Sequence, residues 1–179
     1  MRYYFNKAKS NFANRGMALE NDINVTNEYY IEKGIALIYK KPTPIKITKV
    51  NYDKSKIVEA FFESPSTLDY NGLYKEKYIE FDAKETQSKT SFALANIHKH
   101  QLEHIKRVYK LNGVVFLIIR FVLLNETYIL MGKDLIEFLD NNTRKSIPYS
   151  YIKEKGYRVE LKYIPRLDYL KVLDRIMED

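Results

Sequence analysis

The sequence predicts an α/β or α+β domain built on a mixed sheet, and three observations carry that expectation. Segments rich in β-branched residues alternate with segments whose apolar residues fall at helical spacing: a helix, three strand-like runs, a helix, two strands and a helix. One run, "VVFLIIRF", is apolar on both faces, as a central strand covered on each side would be. At 179 residues the chain is long enough for one ordinary core and short for two, so a single domain over 1–179 is expected.

The elements follow in chain order. In "NRGMALENDINVTNEYYIEKG", Met17, Leu19, Ile23, Tyr30 and Ile31 lie at mostly helical spacing, and Gly34 offers a C-terminal stop. "IALIYKK" and "IKITKVNY" read as strands separated by "PTP", whose prolines forbid a continuous element. "SKIVEAFFESPS", bounded by Pro65, is too mixed to assign. "TLDYNGLY" and "KYIEFDAKE" read as a hairpin around Asn71-Gly72. Strand alternation then places Tyr78, Glu80, Asp82 and Lys84 on one face and Ile79, Phe81 and Ala83 on the other. From Ala93 to Leu111 a helix carries Ile97, Gln101, Ile105 and Val108 along one stripe, so one polar residue interrupts an apolar face. "TYILMG" can pair with the central strand, and Asp134 and Asp168 open two further helices.

Composition narrows the function. Lys and Arg outnumber Asp and Glu by 30 to 23, a formal charge of +7 that favours a polyanionic partner, nucleic acid first. The absence of cysteine excludes a disulfide framework, a thiol nucleophile and cysteine-based zinc sites. The longest apolar run is broken by Arg120 and falls short of the roughly 20 residues of a spanning helix, so a cytoplasmic protein with no membrane partner is expected.

Asp69 is followed 13 positions later by Asp82, and Lys84 shares the face of Asp82. Two converging carboxylates can hold a hard divalent cation such as Mg²⁺, and a neighbouring lysine can steady charge developing on a phosphate. An acid, a gap and then acid-x-Lys on adjoining strands is the pattern of the PD-(D/E)xK nucleases. The same residues also suit a turn aspartate with a solvated Asp-Lys pair. Gln101 on its apolar helix face and Glu20 on the first helix are further polar residues that could join the site. His100 and His104 have the spacing of a zinc pair without an accompanying HExxH, and solvated or DNA-facing histidines fit better. The tyrosines suit packing or stacking on unpaired bases. Lys40, Lys41, Lys46 and Lys49 suit phosphate tracking or a protected strand edge.

The blocks "NRGMALENDIN", "KKPTPI", "PSTLDYNGLYKEKYIEFDAKET", "KTSFALANIHKHQLEHI", "RKSI" and "PRLDYL", in this order over nearly the whole chain, resemble the RecU family of Holliday junction resolvases. The resemblance implies a restriction-endonuclease-like fold: a mixed central sheet flanked by helices, with a projecting stalk at about 44–66. It also implies magnesium, or manganese in its place, held by Thr67, Asp69, Asp82 and Gln101, with Lys84 stabilising the transition state. Glu20 would support the catalytic residues from the first helix. Lys46, Lys49, Lys54 and Lys56 would meet DNA on the stalk, where phosphate backbones crowd. Implied partners are four-way junction DNA, a second copy of the chain and a recombinase. Two residues depart from the family pattern: Asp82 stands where glutamate is usual, and Leu68 where a second threonine is usual. The alternatives are a nuclease of the same superfamily with another DNA substrate and a non-catalytic DNA-binding protein. Clustered acids where phosphate must sit argue against the latter.

Overall fold

A computed structural model describes residues 17–62 and 67–178. Residues 14–16 of the expected first helix and 63–66 of the expected stalk lie outside the described residues. Helix α1 (Met17–Glu32) ends just before Gly34, as expected. Gly34 takes φ +65°, a conformation glycine adopts without steric cost, and Ile35 N–H reaches back to the Tyr30 carbonyl at 2.8 Å.

Strands β1 (Leu37–Lys40), β4 (Tyr70–Tyr74), β5 (Lys77–Thr86), β7 (Val114–Phe121), β8 (Glu126–Met131) and β10 (Tyr157–Val159) form the central sheet in the order β1-β4-β5-β7-β8-β10. Only the β5–β7 pair is parallel, so the sheet is mixed, as expected. The crossover between β5 and β7 carries α2 (Lys99–Lys110), which supplies Gln101 to the site. Two more strands, β2 (Ile45–Asn51) and β3 (Lys56–Phe62), form a separate antiparallel hairpin, and β6 (Ser91–Ala93) pairs with β9 (Ser146–Pro148). The unassigned segment "SKIVEAFF" is thus mostly β3. Helices α3 (Gly132–Asn141), α4 (Tyr149–Lys155) and α5 (Tyr169–Glu178) complete the described chain.

Strand β7 divides the core. Phe116 and Ile118 join α1 and α5 residues such as Leu19, Ile23, Leu170 and Leu173 on one face. Val115, Leu117, Ile119 and Phe121 join Ile105, Val108, Leu135 and Ile152 on the other. Each such side chain, fully buried, contributes about 1.5–3 kcal/mol, so the two layers hold β7 between them. Arg120 interrupts β7 without being exposed: it pairs with Asp22 at 2.7 Å and donates to Thr127 at 3.2 Å. That pairing pins α1 to the sheet and offsets the cost of burying its charge.

Three local expectations need correction. The β4–β5 turn lies at Lys75-Glu76, whose φ values of 45° and 62° give both central residues the left-handed conformation of a two-residue turn that matches the right-handed twist of the strands. Asn71-Gly72 instead sits inside β4, where a Cβ on Gly72 would fall 1.9 Å from the Leu37 carbonyl oxygen. Glycine here serves close approach of β1 rather than a turn. The second helix begins at Lys99, not Ala93, because Ser91–Ala93 is drawn into pairing with β9. Asp134 lies in the first turn of α3, whose N-cap is Met131.

Candidate active site

The site is assembled by strand register. Tyr70 pairs with Phe81 across β4 and β5, which puts Asp82, the next residue of β5, on the face opposite those rings, and Asp69, just before β4, lies close enough to Asp82 to interact with its carboxyl. Asp82 has no solvent exposure. Its Oδ1 accepts from the Ala83 N–H at 2.8 Å, and its Oδ2 from Gln101 Nε2 at 2.7 Å and Lys84 Nζ at 2.9 Å. Burial pushes the Asp82 carboxyl up, the Lys84 ammonium pulls it down and Asp69 pushes it up again, leaving it at about 7. The Asp82–Lys84 pair is therefore largely buried, unlike a solvated pair on an exposed strand face.

Gln101 owes its position to the start of α2. Its Oε1 accepts from the His98 N–H at 3.1 Å, and the His98 side chain caps the Gln101 N–H in return. This reciprocal cap turns Gln101 Nε2 toward Asp82 and the Thr67 carbonyl, 3.2 Å away. Thr67 therefore faces Gln101 with its carbonyl. Its hydroxyl donates to Glu80 Oε1 at 3.3 Å and accepts from Lys41 Nζ at 2.7 Å. Leu68, at the family's usual threonine position, is fully buried in the α2-side core.

Of the expected residues, Thr67, Asp69, Asp82, Lys84 and Gln101 come together. Glu20 does not touch them among the described contacts and instead pairs with Lys40. Its charge is still felt nearby: the Tyr70 hydroxyl is pushed up by burial first, then by Glu20, Asp69 and Asp82. Lys46, Lys49, Lys54 and Lys56 are exposed on the β2–β3 hairpin, with no ion-pair partner among the described residues.

Glu80 carries no distinguishing signal in the sequence, although its alternation with Asp82 puts it on the site face. It is fully buried, and its Oε2 meets Tyr78 OH at 2.9 Å and His104 Nε2 at 2.8 Å. His104 is thus bound to a carboxylate, while His98 and His100 stack with ring centroids 5.4 Å apart. No three His, Cys, Asp or Glu side chains gather as a metal cluster among the described residues.

The donor chemistry suits a hard cation: two carboxylates and the Thr67 carbonyl, all oxygen, would supply the few protein ligands that such an ion takes while keeping waters and phosphate oxygens. Burial first, and Asp69 after it, raises the Asp82 carboxyl, and a divalent charge between the carboxylates would favour its ionised form.

Comparison with known proteins decides the family. The family model described as Recombination protein U matches residues 14–175. The chain belongs to this family. It is 49% identical over 174 residues to the Holliday junction resolvase RecU of Pediococcus pentosaceus, covering 94% of this chain and 87% of that protein. It is 50% identical over 173 residues to the protein of that name from Geobacillus kaustophilus, covering 93% and 86%. Bacillus thuringiensis has another such relative, 50% identical over 174 residues, covering 94% and 87%. A solved structure of Archaeoglobus fulgidus Hjc, a Holliday junction resolvase, is similar at a TM-score of 0.46 with 11% identity, covering 80% of this chain and 90% of that chain. The residues matched by the family model, 14–175, include the sheet, the hairpin and the site alike. No helix among the described residues is long and apolar enough to cross a membrane.

Proposed function

We propose that this chain is a divalent-metal-dependent endonuclease that resolves four-way DNA junctions by symmetric nicks in recombination and repair. The observation that supports the chemistry is the buried Asp82 carboxylate held by Lys84 and Gln101, with Asp69 beside it. Family membership and the names of the relatives support the substrate.

Asp69 and Asp82 would hold the cation, with the Thr67 carbonyl and Gln101 completing or orienting its shell. Mg²⁺, or Mn²⁺ in its place, would when bound neutralise phosphate charge and acidify a water at the scissile phosphorus. Lys84 stands 2.9 Å from Asp82, and its ammonium is placed to stabilise the extra negative charge as the phosphorus gains a fifth oxygen. Gln101 keeps Asp82 oriented through an amide anchored by the helix cap. Glu20 adds negative potential from α1.

The β2–β3 hairpin supports the substrate reading. It stands apart from the main sheet, every residue of β3 is exposed, and Phe62 is 81% exposed. Such a hairpin, with Lys46, Lys49, Lys54 and Lys56, suits the crowded phosphates of a junction centre. It corresponds to the stalk at about 44–66 of a single domain over 1–179. Two opposed nicks call for a homodimer whose twofold matches the junction, and a recombinase is the further partner proposed. The test is cleavage of a mobile four-way junction beside matched linear duplex, with and without Mg²⁺. Junction cleavage that needs the metal, with duplex largely spared, is expected; equal cutting of both favours a general nuclease.

A further inference from the structure

Lys41 and Glu80 have no part in the metal chemistry proposed above, yet they are built into the site. Both Glu80 oxygens are occupied: Oε1 by the Lys41 ammonium and the Thr67 hydroxyl, Oε2 by Tyr78 and His104. A fully buried carboxylate with every oxygen engaged is an anchor rather than a free metal ligand. Lys41 is what it anchors. The Lys41 backbone N–H donates to the Asp69 carbonyl at 2.7 Å, and Nζ donates to the Thr67 hydroxyl at 2.7 Å. One residue therefore grips the segment carrying Thr67 and Asp69 at both ends.

Chain position gives this grip a second meaning. Lys41 follows the last residue of β1 and precedes Pro42-Thr43-Pro44, the connector into the β2–β3 hairpin. Proline at both ends of that connector fixes φ and stiffens it. The described chain resumes after the hairpin at Thr67. The Lys41–Thr67 bond thus ties the outgoing and returning legs of the hairpin together at its foot, beside Asp82.

We infer that the Lys41–Glu80 pair is a positioning device that sets the Thr67–Asp69 segment against Asp82 and joins the foot of the hairpin to the metal-binding carboxylates. The inference rests on the metal-dependent nuclease reading for its consequence, but its structural content can be read without DNA. Partners that orient metal ligands commonly contribute about ten- to a hundredfold in metal affinity.

The test is titration of the full chain with Mn²⁺ alone, comparing Lys41→Met, Lys41→Arg and Glu80→Gln with the parent. Charge by itself makes the opposite prediction for Lys41→Met: losing an ammonium beside two carboxylates should tighten cation binding. Positioning predicts weakening by about tenfold or more, substantial recovery in Lys41→Arg, and weakening in Glu80→Gln. Thermal melts report whether each variant is folded. A folded Lys41→Met that binds Mn²⁺ as tightly as the parent, or more tightly, overturns the inference. If Glu80→Gln fails to fold, the two Lys41 variants decide alone. A parent that binds Mn²⁺ but leaves junctions uncut would refute the proposed substrate while leaving the positioning result to stand on the Mn²⁺ data.

Discussion

Tyr70 and Phe81 face each other across β4 and β5 with ring centroids 4.8 Å apart and planes 6° from parallel. Phe81 in turn stacks on Phe116 of β7, also at 4.8 Å. This three-strand stack lies under the site and sets its register. A slip of one residue would carry Asp82 to the opposite face, so packing on one side of the sheet fixes the chemistry on the other.

Asp82→Asn should reduce junction cleavage by about a hundredfold or more, because it removes a charge at the metal site with almost no change in volume. Junction binding should stay intact or tighten, since a buried negative charge near phosphate is lost. Parallel gel-shift and cleavage assays measure both. Activity within about threefold of the parent would remove Asp82 from the mechanism.

The same variant has a pH signature in metal-free buffer. The folded Asp82 carboxyl is raised to about 7 by burial, so the native state holds its proton more tightly than the unfolded chain. Stability from this group is fully present below the ordinary carboxyl value near 4 and is lost as pH rises toward 7. Asn imitates the protonated form at every pH. Melting temperatures in chelator should therefore be similar for parent and Asp82→Asn near pH 4–5, and higher for the variant by a few degrees at pH 8. A variant less stable than the parent at pH 8 would show that the ion pair with Lys84 outweighs burial.

Much of the candidate site face can be read from the sequence because its signals are local. Period-two alternation places Asp82 and Lys84 together, and the 13-residue spacing from Asp69 suits two strands joined by a tight turn. Gln101 stands out as a polar interruption of a helix face. What the sequence hides depends on distant partners. Glu80 resembles any exposed strand acid until Lys41 and His104, from other elements, close around it. Asn71-Gly72 carries a stronger turn signature than Lys75-Glu76, yet its glycine is required by the passage of β1. Ser91–Ala93 has helical neighbours in sequence and a strand partner in space.

Replacing Lys54 and Lys56 of the hairpin by Gln should weaken junction binding and flatten its salt dependence, by up to about one unit of slope for each phosphate that is no longer neutralised. Duplex binding should change less. Both lysines are exposed, so folding should be unaffected. Salt titrations by fluorescence anisotropy check this, and an unchanged slope would remove the hairpin from the DNA interface.

Assembly can be weighed directly. Light scattering should give twice the 21.3 kDa chain mass at working concentration. Mixed dimers holding one Asp69→Asn subunit should nick one strand and rarely complete resolution. A monomer that cuts both strands with full coordination would contradict the paired-site reading.

Mapping the nicks on a mobile junction, each strand end-labelled in turn, tests the central claim most directly. The parent with Mg²⁺ should give paired cuts at symmetric positions in two opposing strands and ligatable linear products, while Asp69→Asn should give none. Unpaired cuts scattered over all four strands, or a matching pattern on linear duplex at the same rate, would contradict it.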